Sequence, residues 1–314
     1  MHKLCLAPMV DRTDRHFRFL ARLLHQDIFL YTEMLVDRAL LKGDAPRLLR
    51  FHATEHPIGL QLAGTDPKLM AQAAVIGKRF SFDEININCG CPSPRASTAS
   101  FGAALMTKPT LVADMAQAMH ESSSLPISVK MRIGVDEQDN YDSFCHFVET
   151  VANAGVRVFI VHARKAWLCG LSVKENRTVP PLRYDWVYRL KADFPYIDIV
   201  INGGIATVDQ IKTHLQRVDG VMLGRAAYAN PWLLSQANEL FARQPVSPPA
   251  VFAKLLLYAQ QELEQGTRSA AIFRHWLHLF SGFPGAKQIR QKFSSANPEE
   301  VLTLLATLKA GEYP

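Results

Sequence analysis

The sequence predicts an α/β protein, a (β/α)8 TIM barrel followed by a small C-terminal helical bundle. Short apolar strands alternate with amphipathic helices from Leu4 to about Leu234, and about eight such units in roughly 235 residues is the size of a barrel. Beyond a proline-rich connector, only helical periodicity remains. A doubly wound sheet is the alternative, but its glycine-rich phosphate loop is missing after the first strand.

The predicted strands are short runs, and nearly all of them end in polar residues or glycine. In chain order they are 4–9, 29–33, 58–61, 85–88, 127–132, 158–164, 199–204 and 220–225. The amphipathic segments that follow most of them are 15–24, 68–76, 111–122, 141–154, 186–194 and 208–215. Repeated strand–helix units with apolar strands indicate a parallel sheet covered by helices, with the site where the strands end.

A boundary near residue 243 separates two predicted domains, 1–242 and 243–314. The connector 244–249 contains three prolines. The segment after Asn297 begins as helices do, with a capping side chain and acids in the first turn. Three apolar faces predict a bundle, formed by Val251, Leu255, Leu256 and Ala259, by Ile272, Trp276, Leu279 and Phe280, and by Val301, Leu304, Leu305 and Leu308.

Composition excludes several classes of protein. The chain has 314 residues, of which 48% are hydrophobic, but no uninterrupted apolar run of about 18 residues, so no membrane span is expected. A strand begins within a few residues of the N-terminus, so we expect no signal peptide. Five cysteines without paired CxxC spacing favour neither disulfides nor a metal site. We expect a cytoplasmic monomer, whose net charge of +6 permits binding of nucleic acid.

The segment 86–93, Asn-Ile-Asn-Cys-Gly-Cys-Pro-Ser, carries the strongest chemical signal. Alternation along a strand places Ile87 and Cys89 on one face and Asn88 on the other. If the isoleucine face packs against helices, Cys89 is buried with it. Cys91 lies beyond the strand, before a proline, and is the candidate for chemistry. The alternative is that both cysteines only fill the core.

Glycines at the last two strand ends predict a phosphate site. Gly203 and Gly204 follow one strand, and Gly224 and Arg225 follow the next. Barrels build phosphate sites at this position, because glycine lets backbone N–H groups approach the phosphate while an arginine supplies charge.

Polar side chains at other strand ends predict what the rest of the ligand is. Lys130 could offset negative charge on a ring that gains electrons, while Gln61, His162 and Asn202 surround it. Because few carboxylates are available as bases, this set suits flavin mononucleotide (FMN) better than a sugar phosphate. Each residue alone has a structural alternative, such as pairing of Lys130 with Glu33.

From Leu6 to about Leu234, the chain resembles the tRNA-dihydrouridine synthases. The motifs that carry the resemblance are 7–9 (Ala-Pro-Met), 13–15 (Thr-Asp-Arg), 61–64 (Gln-Leu-Ala-Gly), 86–93, 129–134 (Val-Lys-Met-Arg-Ile-Gly), 202–204 (Asn-Gly-Gly) and 224–225 (Gly-Arg). The stretches 31–34, 162–177 and 180–184 are similar to the A subfamily in particular.

The resemblance implies an enzyme that uses FMN and NADPH to reduce the C5–C6 double bond of uridine in the tRNA D-loop, at positions 20 and 20a. It implies hydride delivery to C6 and proton donation to C5 by Cys91, since a cysteine thiol is ordinarily protonated at neutral pH. The residues that would hold FMN are Ala7, Pro8, Met9, Gln61, Lys130, His162, Asn202, Gly203, Gly204, Gly224 and Arg225. Those that would contact tRNA are Asn88, Lys174, Arg177, Lys287 and Arg290.

One departure and two rival functions stay open. The family's usual glycine is replaced around 97–101, although Gly102 remains, which puts the geometry of the Cys91 loop in question. A flavin barrel acting on a free pyrimidine, like a dihydroorotate-oxidising enzyme, would share the phosphate site. A tRNA-binding protein with vestigial redox chemistry would share the basic helices.

Overall fold

The computed structural model describes residues 2–93, 96, 100–283, 285–295 and 297–311. Within these ranges the strands are β1 (Leu4–Leu6), β2 (Leu30–Tyr31), β3 (Leu35–Val36), β4 (Ile58–Ala63), β5 (Glu84–Cys89), β6 (Ile127–Arg132), β7 (Val158–His162), β8 (Asp198–Asn202) and β9 (Gly220–Leu223). They form one parallel sheet in the order β1-β9-β8-β7-β6-β5-β4-β2, with β3 paired to β4.

The sheet closes between its first two strands. Phe29, directly before β2, donates its N–H to the carbonyl of Leu4 (2.8 Å) and accepts from the N–H of Leu6 (2.9 Å). The predicted barrel is therefore confirmed, and each predicted strand contributes to it. β3, which has only two residues, was not among the predicted strands.

Helices cover the outside of the barrel. They are α1 (Arg15–Leu24), α2 (Asp37–Lys42), α3 (Ala45–Leu48), α4 (Pro67–Arg79), α5 (Pro109–Ser123), α6 (Tyr141–Asn153), α7 (Tyr184–Asp193), α8 (Val208–Leu215), α9 (Arg225–Ala229) and α10 (Trp232–Gln236). All six predicted amphipathic segments are helical. Several of them have an N-cap side chain that accepts hydrogen bonds from N–H groups of the first turn, for example Asp14 before α1 and Thr207 before α8. Within the described ranges, none of the helices combines the length and apolar character needed to cross a membrane.

The barrel interior holds both apolar and polar side chains. Large apolar side chains form one cluster, among them Phe29, Ile160, Val200 and Met222. The inward positions of β5 are polar instead, and they lead towards the carboxyl ends of the strands. Polar groups buried in this way require hydrogen-bond partners, so the interior contains hydrogen-bonded side chains as well as apolar packing.

The C-terminal segment is helical, as predicted. It contains α11 (Pro248–Glu264), α12 (Ser269–Phe273), α13 (Ala286–Ser295) and α14 (Pro298–Lys309). The first and third predicted apolar faces lie on α11 and α14. The second is not one regular helix, because α12 ends at Phe273 and a 3-10 turn at Leu277–Phe280 carries the rest of that buried face. Lys287 and Arg290 are exposed on α13.

These helices bond directly to the barrel through α1. Arg15 forms a bidentate ion pair with Glu262, which is buried. His16 Nδ1 lies 2.8 Å from the Tyr258 hydroxyl, and Phe19 stacks on the Tyr258 ring at 3.9 Å between centroids. The boundary near residue 243 stays a prediction, and the chain on its two sides shares a polar, partly buried interface.

Candidate active site

A cavity of about 460 Å³ lies at the carboxyl ends of the strands, a size typical of small-ligand sites. Every residue predicted to hold the cofactor lines it: Ala7, Pro8, Met9, Gln61, Lys130, His162, Asn202, Gly203, Gly204, Gly224 and Arg225. Asn88, Cys91 and Arg177 line it as well. Lys174, Lys287 and Arg290 are exposed and are not among its lining residues. Residues from distant parts of the sequence therefore meet in one site.

The turn after β8 has a backbone that only glycine fits comfortably. Gly203 has φ 115°, and a Cβ there would lie 2.5 Å from His162 Cδ2. The Tyr184 hydroxyl, at the start of α7, donates to the Gly203 carbonyl at 2.5 Å and so helps to fix the turn. The turn can thus present its backbone to a ligand, with Arg225 beside it on the cavity wall.

Lys130 is a half-buried cation at the cavity wall. Its Nζ donates to Asn202 Oδ1 at 3.3 Å, while Asn202 donates to the Met222 carbonyl at 2.8 Å. Burial, assisted by the charge of Arg132, lowers the pKa of Lys130 to about 8. The alternative pairing with Glu33 is not among the ion pairs of the described residues.

The cavity is electropositive. Five cationic side chains line it, namely Arg12, Lys130, Arg132, Arg177 and Arg225, and no carboxylate is among its described lining residues. Burial and then the neighbouring Arg225 and Arg12 lower the pKa of Arg177. Burial and the surrounding cations likewise hold the pKa of His162 well below its usual range, so His162 is neutral at pH 7. Such a site favours an anionic ligand.

The two cysteines differ as the strand alternation predicts. Cys89 is fully buried among apolar residues, and burial raises the pKa of its thiol far above the usual range. Asn88 points into the cavity, where its Oδ1 accepts the N–H groups of Gly90 (3.1 Å) and Cys91 (3.0 Å). Cys91 is half-buried at the cavity wall, with its Sγ 3.4 Å from Ser93 Oγ.

Gly102 anchors the far end of the Cys91 loop. Its φ is 69°, a Cβ there would lie 2.5 Å from the Cys91 carbonyl, and the next N–H, of Ala103, donates to that carbonyl at 2.9 Å. The departure noted in the sequence falls largely on residues 97–99, which lie outside the described residues. Ser100 is described and has φ 60°, a conformation that non-glycine residues rarely adopt.

Arg132 is a site residue that the sequence reasoning did not assign. It is buried, and its guanidinium donates to the carbonyls of Gly90 (3.0 Å), Lys165 (2.8 Å) and Asn176 (2.9 Å). It thereby joins the Cys91 loop to the loop after β7. Strand alternation was the available signal, because Arg132 lies two residues beyond Lys130 and so points the same way.

Arg12 and Asp14 connect the cavity to the C-terminal helices. Arg12 lines the cavity and lies over the Tyr228 ring, 5.1 Å from its centroid, and the Tyr228 hydroxyl lies 3.2 Å from Nδ1 of His275 in the C-terminal segment. Asp14 accepts from Arg274 (2.9 Å) and lies 2.9 Å from Nε2 of the buried His275. Burial alone would raise the pKa of Asp14, but these hydrogen bonds and charges lower it below its usual range. Within the described ranges, this cluster included, no group of three or more His, Cys, Asp or Glu side chains could hold a metal ion.

Comparisons with known proteins assign the family. The sequence model described as dihydrouridine synthase matches residues 5–310. The chain belongs to the dihydrouridine synthase family. The motifs that carry the resemblance end at about Leu234, but the family match extends through the C-terminal helices.

Similar dihydrouridine synthases match nearly the whole chain. A protein of Synechocystis is 48% identical over 98% of this chain and 95% of its own length. Relatives from Xanthomonas campestris pv. campestris (50% identical over 93% of this chain, 88% of theirs) and Escherichia coli K12 (48% over 92%, 85% of theirs) are similar. Each of the three is named tRNA-dihydrouridine(20/20a) synthase.

Proposed function

We propose that this protein reduces the C5–C6 double bond of uridine to dihydrouridine in the tRNA D-loop, at positions 20 and 20a. The observation that carries the proposal is the electropositive cavity that unites Cys91 with every residue predicted to hold the cofactor. Its relatives are named for synthesis of dihydrouridine at positions 20 and 20a of tRNA, which supports the proposal. We further propose FMN as the bound cofactor and NADPH as the reductant, in a monomeric cytoplasmic enzyme.

The residues of the cavity fit FMN. The Gly203–Gly204 turn and Arg225 would hold its phosphate, because the turn admits no Cβ and Arg225 brings a positive charge. Lys130 would face the ring, since it lines the cavity and its Nζ has one hydrogen-bond acceptor among the described residues. An anion beside Lys130 would raise its lowered pKa and keep it protonated at neutral pH. Bound FMN, once reduced by NADPH, would supply the hydride.

Cys91 would supply the proton that C5 of uracil requires. Its backbone N–H donates to Asn88 and its carbonyl accepts from Ala103, and the residue lines the cavity wall. Asn88 would contact the substrate base, which must leave its stack to enter the cavity. Arg177 at the cavity wall, and exposed Lys174, Lys287 and Arg290, would contact tRNA phosphates.

The deciding experiment is reduction of unmodified tRNA by the purified protein with NADPH, followed by mapping of dihydrouridine at each position. Products at 20 and 20a are expected from the wild type. Free uridine and orotate, supplied in parallel, test the rival reaction on a free pyrimidine. Turnover of these without dihydrouridine in tRNA would refute the proposal. Binding of tRNA with no product would favour vestigial redox chemistry.

A further inference from the structure

A continuous chain of buried polar side chains crosses the barrel interior and ends at the cavity. It begins at Glu84, at the start of β5, and continues through Ser128, Asn86, Gln61 and Asn88, all between 0 and 8% exposed. Glu84, Asn86 and Asn88 alternate along β5 and therefore share its inward face. The proposed function gives roles to Gln61 and Asn88 only, so the first half of the chain has none.

Each link is a direct hydrogen bond. Ser128 Oγ donates to Glu84, and Asn86 Nδ2 donates to Ser128 Oγ at 2.7 Å. Gln61 Nε2 donates to Asn86 Oδ1 at 2.7 Å, and Asn88 Nδ2 donates to Gln61 Oε1 at 2.9 Å. The Asn88 Oδ1 then accepts from the backbone of the Cys91 loop, as described above.

The carboxylate gives this chain one direction. An ionised carboxylate can only accept hydrogen bonds, so the hydroxyls of Ser128 and Tyr31 (2.9 Å) both donate to Glu84. Burial, together with the charge of Glu84, raises the pKa of Tyr31 and keeps its hydroxyl protonated. Because the Ser128 hydrogen points to Glu84, its lone pairs remain for the amide of Asn86.

The same constraint passes along every amide. Since the nitrogen of Asn86 faces Ser128, its oxygen faces Gln61, and this sets the Gln61 nitrogen towards Asn86. The Gln61 oxygen then faces the Asn88 nitrogen, which leaves the Asn88 oxygen for the Cys91 loop. Reversal of any one amide would put two donors or two acceptors in contact, which is costly in a buried site.

We propose that Glu84 is a positioning residue that acts through Ser128 and Asn86 to fix which ends of the Gln61 and Asn88 amides face the ligand. The second N–H of Gln61 is then reserved for an acceptor in the cavity, and the Asn88 oxygen is reserved for the loop that carries Cys91. The identity of that ligand rests on the proposed function, whereas the orientation of the amides does not.

The composition of the interior supports this role. Barrel interiors are ordinarily filled by branched aliphatic side chains, such as Ile160 on β7 and Val200 on β8 in this barrel. Such residues would stabilise the fold without any requirement for hydrogen bonds. Glu84 lies at the far end of the interior and is linked to the cavity by a series of hydrogen-bonded side chains. Its presence there is explained by the orientation that it imposes on the amides of Gln61 and Asn88.

The test compares Glu84→Gln and Ser128→Ala with Ile85→Val. Ile85 lies between Glu84 and Asn86 on the same strand, but it packs outward against α4, where a Cβ on Gly77 would lie 2.7 Å from its Cδ1. Glutamine keeps the size of Glu84 and can donate as well as accept, so the direction of the chain is lost. Alanine at Ser128 cuts the chain and leaves Glu84 in place, and it serves if Glu84→Gln does not fold.

The first readout is the pair of backbone amide NMR signals of Gly90 and Cys91 in protein without FMN. Both should shift in Glu84→Gln and in Ser128→Ala but stay at the wild-type position in Ile85→Val. The double variant should shift them no further than Ser128→Ala alone, because the link is already cut. Signals that stay in place in both chain variants would overturn the proposal.

The second readout is FMN affinity, which should fall roughly tenfold in both chain variants, the usual effect of one lost hydrogen bond. Affinity equal to that of Ile85→Val in both variants would also overturn the proposal. If the wild type itself bound no FMN, the proposed function would fail, and the two amide signals would still decide the role of Glu84.

Discussion

Replacement of Gly203 by alanine tests the turn that would hold the FMN phosphate. The residue has φ 115°, and its new Cβ would lie 2.5 Å from His162 Cδ2, 2.9 Å from His162 Nε2 and 3.1 Å from a Leu182 methyl. Left-handed backbone costs a non-glycine residue about 1–2 kcal/mol. Overpacking of a buried site adds about 1–3 kcal/mol. We therefore expect a loss of about 3 kcal/mol, the turn and His162 both being displaced.

Gly266→Ala separates the two contributions. Gly266 has φ 80° with no atom near the position of a Cβ, so only the backbone cost of about 1–2 kcal/mol applies. Denaturant unfolding measures the free energy of both variants, and fluorescence titration measures FMN affinity. Gly203→Ala should lose at least tenfold in affinity, the effect of a hydrogen bond to the phosphate, and Gly266→Ala should lose none. Equal stability and unchanged affinity in the two variants would refute the steric account of the turn.

Three further predictions concern proton donation, tRNA binding and acid stability. Cys91→Ala should still bind FMN and oxidise NADPH with oxygen, but it should lose most dihydrouridine formation. Cys89→Ala should lose only stability, through a cavity in the core. The reverse pattern, in activity assays and unfolding, would contradict the assignment. Charge reversal of Lys287 and Arg290 should weaken tRNA binding and leave the FMN content unchanged. The slope of log affinity against log salt concentration should become shallower by roughly one unit per lost phosphate contact. An unchanged slope would show that these two side chains form only a solvated surface. Burial, followed by Arg15, lowers the pKa of His16 to about 4 from the usual 6.5, so the unfolded chain takes up a proton that the folded one refuses, and stability should fall as pH drops from about 6.5 towards 4, by about 2 kcal/mol at pH 5. Because the pKa values of His25 and His162 are lowered as well, these residues contribute to the same fall. His16→Gln should therefore reduce the fall in pH-dependent unfolding by its own share of about 2 kcal/mol at pH 5, and a fall unchanged by that substitution would assign it wholly to the other groups.

The strands and the residues at their ends could be predicted from the sequence because a strand has a period of two and a parallel barrel gathers its strand ends at one edge. Gln61, Lys130 and Asn202 were found in this way. The burial of Cys89 and the exposure of Asn88 to the cavity follow from the same alternation.

Residues whose contacts follow no periodic pattern could not be found. The Tyr184 hydroxyl donates to the Gly203 carbonyl from the start of α7, and Asn176 bonds within an irregular loop, so neither leaves a periodic signal. The polar chain from Glu84 was missed for another reason. Its inward alternation is visible in the sequence, but the partners on β4 and β6 depend on strand register, which only the structure supplies.

The contacts between α1 and the C-terminal helices limit how this protein can be divided. Removal of those helices would leave Arg15 without Glu262 and strip Asp14 of His275, and it would bare the ring of Phe19 to water. Loss of one partner from a buried ion pair costs several kcal/mol, so a shortened barrel would be a poor reference for tRNA binding. An exchange of C-terminal helices between relatives, made to transfer tRNA preference, would have to carry matching residues of α1 with it.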